Sequence, residues 1–329
     1  MSLVVDDRMT GPVPLVELFT QALKNYQLAN ASFHVLCTLP SATSLSASTS
    51  SSVSDPFLTP QPPRRPPRRI LVLDSSFNPP TLAHRSMALS ALQDARYSAG
   101  LSTRVLLLLA INNADKAPKP AAFPQRLAMM HRFAQDLLSA SRNDGADPRH
   151  VSGRDEETCV DIAVTTEPYF HAKSSAVAQA DFYAGVPHRG QAESDVPTDK
   201  PEQVYLAGFD TLIRIFDAKY YPANGMAAAL DPLFAHARLR VTMRPDAEWG
   251  DAAAQRAYLA SLRDGELEAM GGRKEWVERV EMVDGAGEGV VSSTKVREAV
   301  RGEDWEALGG LVSTGVAACV QEHGLYKEA

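Results

Sequence analysis

Short apolar runs alternate along this chain with longer stretches whose apolar positions recur three and four apart. Residues 70–73 (ILVL), 104–111 (RVLLLLAI), 160–164, 204–207, 239–243 and 277–283 read as strands. Most of them are continuously apolar, as strands covered on both faces are. Between them lie amphipathic stretches. Residues 123–138 carry Leu127, Met130, Phe133, Ala134 and Leu137 on one stripe, and residues 211–218 carry Leu212, Ile215 and Phe216. Residues 227–235, 246–274 and 313–323 complete the helical set, and polar, Gly/Pro-bearing stretches at 143–157 and 185–203 read as surface insertions. Strand and helix in alternation predict an α/β domain built on a doubly wound, mostly parallel sheet.

The first 69 residues have a different pattern. Leu15, Leu18, Phe19, Ala22 and Leu23 mark a helix over 14–28, and residues 33–39 (FHVLCTL) a strand. One helix and one strand cannot bury a core alone, so residues 1–40 are expected to form a small appendage docked on the main domain, 70–329. Residues 41–69 turn serine-rich and then read QPPRRPPRR, the composition of an extended, mobile linker. Its arginine pairs, Arg64-Arg65 and Arg68-Arg69, are expected to be solvated. Their alternative use is as a nuclear address or a contact for an acidic protein partner.

Composition narrows the function classes. The chain of 329 residues is 44% hydrophobic and 22% charged, with a formal net charge of -7. Such a balance argues against a general nucleic-acid surface. Cys37, Cys159 and Cys319 are scattered with no CxxC pair, which predicts neither a disulfide framework nor a zinc site. The opening MSLVVDDRM has no apolar core like that of a secretory signal, and no apolar run reaches membrane-spanning length. A soluble protein of cytoplasm or nucleus is the expectation.

The chemistry concentrates where the strand at 70–73 turns into a helix through Asp74-Ser75-Ser76-Phe77-Asn78-Pro79-Pro80-Thr81. A strand turning sharply into a helix aims free N–H groups at whatever lies above the sheet, an anion site in waiting. Thr81, just ahead of the helix, and His84, in its first turn, face the same anion. A second start of this kind is Ser292-Ser293-Thr294, hydroxyls ahead of the apolar stripe Val296, Ala299 and Val300.

The stretch from Ser75 to His84 (SSFNPPTLAH) resembles the GSFNPPTxGH signature of the nicotinamide and nicotinate mononucleotide adenylyltransferases, members of the (H/T)xGH nucleotidyltransferase superfamily. Ser75 and Ala83 stand where that family has glycine. The run SSTKVR at 292–297 matches its ISSTKxR motif, and residues 320–326 resemble its C-terminal helix. TEPYFxxKS at 166–174 is similar to a divergent fungal branch.

The resemblance implies a Rossmann-like nucleotidyltransferase fold and adenylyl transfer from ATP to nicotinamide mononucleotide, giving NAD and pyrophosphate. Catalytic roles fall to His84, Lys116 and Arg297. ATP is held by Ser75, Ser76, Phe77, Thr81, Ser292, Ser293 and Thr294, and by Gly208 and Asp210 of a G-x-D after the strand at 204–207. The acceptor falls to Tyr169 or Phe170, standing in for the family's ring-stacking tryptophan, with Lys119 as fallback loop cation, Arg244 at a strand end and an aromatic among 219–221. Mg²⁺ is expected through the phosphates, with no protein metal cage. The competing readings are an ATP hydrolase and a non-catalytic nucleotide-binding interaction protein. Nicotinate mononucleotide or phosphopantetheine are the variant acceptors.

Overall fold

The structure, a computed structural model, describes residues 14–40, 58–98, 102–112, 120–143, 158–185, 200–221, 225–244, 249–285 and 291–327. Seven strands form one sheet in the order β1-β4-β3-β2-β5-β6-β7. They are β1 (Phe33–Leu39), β2 (Arg69–Asp74), β3 (Thr103–Ala110), β4 (Cys159–Thr165), β5 (Glu202–Gly208), β6 (Ala237–Thr242) and β7 (Val280–Val283). All neighbours run parallel except β1, which pairs antiparallel with β4 and carries an irregularity between Val35 and Cys37. The central strand is β2. From it the chain first moves outward through β3 and β4, then returns to its other side through β5, β6 and β7. This is the doubly wound fold the strand–helix alternation predicts.

Helices cover both faces. Against one face lie α1 (Leu15–Ala29), α2 (Leu82–Gln93) with its short continuation α3 (Ala95–Ser98), and α4 (Phe123–Asn143). The other face carries α5 (Phe170–Ala178), α6 (Phe209–Ile215), α7 (Met226–His236), and α8 (Ala252–Ser261) with α9 (Leu267–Ala269) after a π turn at Leu262–Glu266. Three C-terminal helices, α10 (Ser293–Arg301), α11 (Trp305–Gly309) and α12 (Thr314–Glu322), return to the first face, where α12 packs on α4. Alternate residues of β2 feed the two cores, Leu71 and Leu73 one and Ile70 and Val72 the other, all at most 1% exposed.

The sequence pattern misplaces three features. The last strand starts at Val280, because residues Lys274–Arg279 form a 3-10 turn that buries Trp276 and Val277. The N-terminal segment is part of the main sheet: β1 is its edge strand, and α1 packs on α4. Of the expected linker at 41–69, residues 41–57 lie outside the described residues, and residues 58–69 are extended and pinned. Thr38 N–H donates to Thr59 O, Gln61 N–H to the Thr38 hydroxyl, the Arg104 guanidinium to Gln61 O, and Arg68 N–H to Ser102 O. Pro63 and Pro67 are buried beneath the ribbon, leaving Arg64, Arg65 and Arg68 exposed. Among the described residues no helix is long and apolar enough to cross a membrane.

Candidate active site

At the carboxyl ends of β2 and β5 the chain leaves toward opposite faces, into α2 and α6. That divergence opens the crevice where doubly wound sheets bind ligands. Register puts Val72 beside Tyr205, three residues before Ser75 and Gly208 respectively.

The loop from Ser75 to Thr81 is built around a buried phenyl ring. Phe77 is 0% exposed yet has φ 44°, a left-handed backbone uncommon for a bulky residue, which burial of the ring stabilises. Thr81 then caps α2. Its backbone N–H donates to His84 Nδ1 at 3.0 Å, and its hydroxyl lies 2.8 Å from the same nitrogen. Desolvation pushes the His84 imidazole down to about 4, so it is neutral at pH 7. With Nδ1 accepting, the ring proton sits on Nε2, which faces the Ser75 hydroxyl at 3.0 Å. The capping box thus does two jobs: it starts a helix and fixes a histidine tautomer. Ser75 supplies a hydroxyl where the resembling signature has glycine, and Ala83 fits half-buried in the first turn.

The second hydroxyl-rich helix start comes to the same loop from more than two hundred residues away. Ser293 Oγ donates to Pro79 O at 2.8 Å, Arg297 Nη1 donates to Asn78 O at 2.9 Å, and Arg297 Nη2 reaches Thr294 Oγ1 at 3.1 Å. Ser292 caps α10 by accepting from Lys295 N–H at 3.3 Å. Tyr326 closes the arrangement from behind, its hydroxyl donating to Asn78 Oδ1 at 2.9 Å. Ser75, Ser76, Phe77 and Thr81 therefore form one short loop, with His84, Ser293 and Arg297 bonded to it and Ser292 and Thr294 beside them at the start of α10. Two hydroxyl-capped helix starts and a guanidinium at one rim are donors of the kind that can hold phosphate.

The remaining sequence candidates divide. Gly208 caps α6, and a Cβ there would lie 2.7 Å from Asp210 Oδ1, so a side chain at this position would displace the Asp210 carboxylate. Asp210 accepts from Arg214 at 2.9 Å on the surface. Tyr169 is 40% exposed and stacks on His171, with centroids 5.7 Å apart and planes at 7°. His171 in turn meets Tyr221 at 6.1 Å, which extends the aromatic row to the β5 side. Phe170 instead packs edge-on against Tyr205 beneath the Lys173 ammonium, so it is a packing group. Arg244 follows β6 by two residues, its backbone held on both sides by the buried Gln255. Lys116 and Lys119 lie outside the described residues.

Two groups at this rim escape sequence reasoning. Arg126 reads as a solvated residue of an amphipathic helix, but it is 5% exposed; Nε donates to Ala121 O at 2.8 Å and Nη1 approaches Ser76 O at 3.4 Å. Only the fold brings it under the loop. Lys173 forms a buried ion pair with Asp74, 2.7 Å, at the carboxyl end of β2. A lone acid directly before a phosphate loop is the signal that a compensating cation is needed.

No protein-family model matches the chain. A curated Schizosaccharomyces pombe protein, "Putative nicotinamide mononucleotide adenylyltransferase", is 32% identical over 241 residues, 72% of this chain and 78% of that protein. The chain belongs to the nicotinamide/nicotinate mononucleotide adenylyltransferase family. It is therefore a nucleotidyltransferase. Among solved structures it is similar to Plasmodium falciparum nicotinic acid mononucleotide adenylyltransferase complexed with NaAD, at 12% identity and TM-score 0.38, over 79% of this chain and 97% of that one. The same enzyme complexed with APC gives 11% identity and TM-score 0.37 over the same shares. At these scores the superpositions add nothing to the fold, which strand order establishes by itself.

Proposed function

We propose that the protein transfers the adenylyl group of ATP to nicotinamide mononucleotide. The observation that carries this reading is the convergence of His84, Ser293 and Arg297 on the single loop at 75–81. An oxygen of the acceptor's phosphate attacks the α-phosphorus, the bond from that phosphorus to the bridging oxygen breaks, and pyrophosphate leaves with the electron pair. No side chain is covalently modified. Rate acceleration comes from positioning and from donors aimed at oxygens that gain charge. His84 offers its Nε2 proton to an α-phosphate oxygen. The Thr294 hydroxyl, the backbone N–H groups at the start of α10 and the unused donors of Arg297 hold the departing pyrophosphate, Ser293 holds the loop in place through Pro79 O, and Gly208 with Asp210 receives the ribose.

The uncharged carboxamide, in preference to nicotinate, is supported by local charge. The exposed Tyr169–His171 stack is the flat surface for the ring, and burial holds His171 below its ordinary pKa, hence neutral, although nearby Glu167 opposes this. Lys173, the described cation beside it, is already neutralised by Asp74. Mg²⁺ is expected to arrive with the phosphates of ATP, as their counter-ion. When bound, it offsets polyphosphate charge.

Mass analysis of products after incubation with MgATP and either mononucleotide tests the reading. NAD should form with nicotinamide mononucleotide faster than the acid analogue forms with nicotinate mononucleotide. His84→Ala should lower kcat about 100-fold while the KM for ATP moves less than about threefold, the usual signature of a lost transition-state donor. Phosphate release from ATP with no dinucleotide would instead identify a hydrolase.

A further inference from the structure

Arg126 is the buried charge that the proposed chemistry leaves unused. It projects from the first turn of α4 with its guanidinium against the Phe123 ring, 5.2 Å from the ring centre. Both of its described hydrogen bonds go to backbone carbonyls, Ala121 O and Ser76 O. Among the described residues no carboxylate pairs with it, and its charged neighbour is a second cation, Arg297. Burial holds Arg126 below the usual guanidinium range, opposed by Tyr326 and reinforced by Arg297.

Two cations packed beside one loop, one of them nineteen-twentieths buried and neither facing an acid among the described residues, are poorly arranged for a protein alone. They are well arranged for a polyanion. Three carbonyls of the loop, at Ser76, Asn78 and Pro79, are taken respectively by Arg126, Arg297 and Ser293. A bare carbonyl oxygen beside a polyphosphate would repel it, and each of these is covered by a donor.

We infer that Arg126 is a positioning residue for the polyphosphate: it turns the Ser76 carbonyl away from the anion and adds positive potential from beneath the loop without touching the ligand. This rests on the adenylyltransferase reading for the identity of the anion, but its test does not need turnover. Calorimetric binding of MgATP is compared for the wild type, Arg126→Met and Arg126→Lys. Met keeps the bulk and removes the charge; Lys keeps the charge and loses the forked geometry.

The expected result is at least a fivefold weaker Kd in R126M, with R126K recovering half or more of the loss on a logarithmic scale. A change below fivefold in R126M, or recovery below half in R126K, overturns the inference and makes Arg126 a strut for the backbone. Should R126M fail to fold, Arg126→Gln takes its place under the same thresholds. A wild type that binds MgATP yet forms no dinucleotide would defeat the proposed reaction and leave this comparison readable. Absence of wild-type binding would defeat both.

Discussion

Arginine is used in opposite ways at the two rims of the sheet. Along the amino-terminal rim every buried or half-buried guanidinium described has a carboxylate. Arg104 makes a forked pair with Asp161 at 2.6 and 2.8 Å, Arg69 and Arg238 share Glu202, and Arg240 lies between Asp94 and Glu281. At the carboxyl rim Arg126 and Arg297 have backbone carbonyls and a hydroxyl, and no acid among the described residues. Paired guanidinium fixes structure; unpaired guanidinium leaves its charge uncompensated, as the proposed polyphosphate site requires. The side chain is the same, and the partner decides its role.

The paired rim can be broken most severely at Asp161, which is 0% exposed and accepts from Arg104, Thr38 and Tyr183. Burial pushes this carboxyl up, and the guanidinium fork opposes that shift. Asp161→Asn strands the Arg104 charge in the interior and should cost roughly 3–5 kcal/mol in urea unfolding. The kcat of the folded fraction should change less than about twofold. A loss of turnover without a loss of stability would erase the distinction between the rims.

Acid separates them next. Desolvation pushes His84, in the site, and His131, between α1 and α4, down to about 4 each. The native state therefore withholds protons that the unfolded chain takes up, and stability falls as pH drops from about 6.5 toward 4. Three of the paired carboxylates respond later. In Glu202 and Glu281 burial is outweighed by hydrogen bonds from arginines and, in Glu281, Tyr97, and in Asp94 the Arg96 hydrogen bond leads; all three are lowered. Their stabilisation is present above the ordinary carboxylate range and is lost only below it. His131→Leu should flatten the first stage by up to about 3 kcal/mol, measured as unfolding free energy against pH, and leave the second unchanged.

The smallest effect belongs to the rim's surface. Arg96 bonds Asp94 and Glu281 but its side chain is 63% exposed. Arg96→Ala should shift unfolding by less than about 1 kcal/mol, and by less still at high salt.

How far the site was legible depended on whether its parts were local. The capping of α2 by Thr81 and His84 follows from residues three apart, and the hydroxyls ahead of α10 declare themselves in the same way. Arg126 gave a different impression. On an amphipathic helix it looks solvated, and only α4 packing under the loop after β2 buries it. Tyr169 and Phe170 are adjacent aromatics with equal claims until burial separates the exposed ring from the packed one. The pinned ribbon at 58–69 was hidden for the same reason, since its partners, Thr38, Ser102 and Arg104, belong to strands distant in the chain.

By itself the sequence determined the periodic elements, their alternation and so the doubly wound class, together with the two helix starts able to grip phosphate. These are short-range properties, set by side-chain spacing and by the free N–H groups of a helix's first turn. Tertiary structure alone decided that both starts face one loop, which aromatic remains open, and which arginines meet an acid. Each of these depends on groups brought together across the sheet, and the chain's own order carries no record of who their neighbours will be.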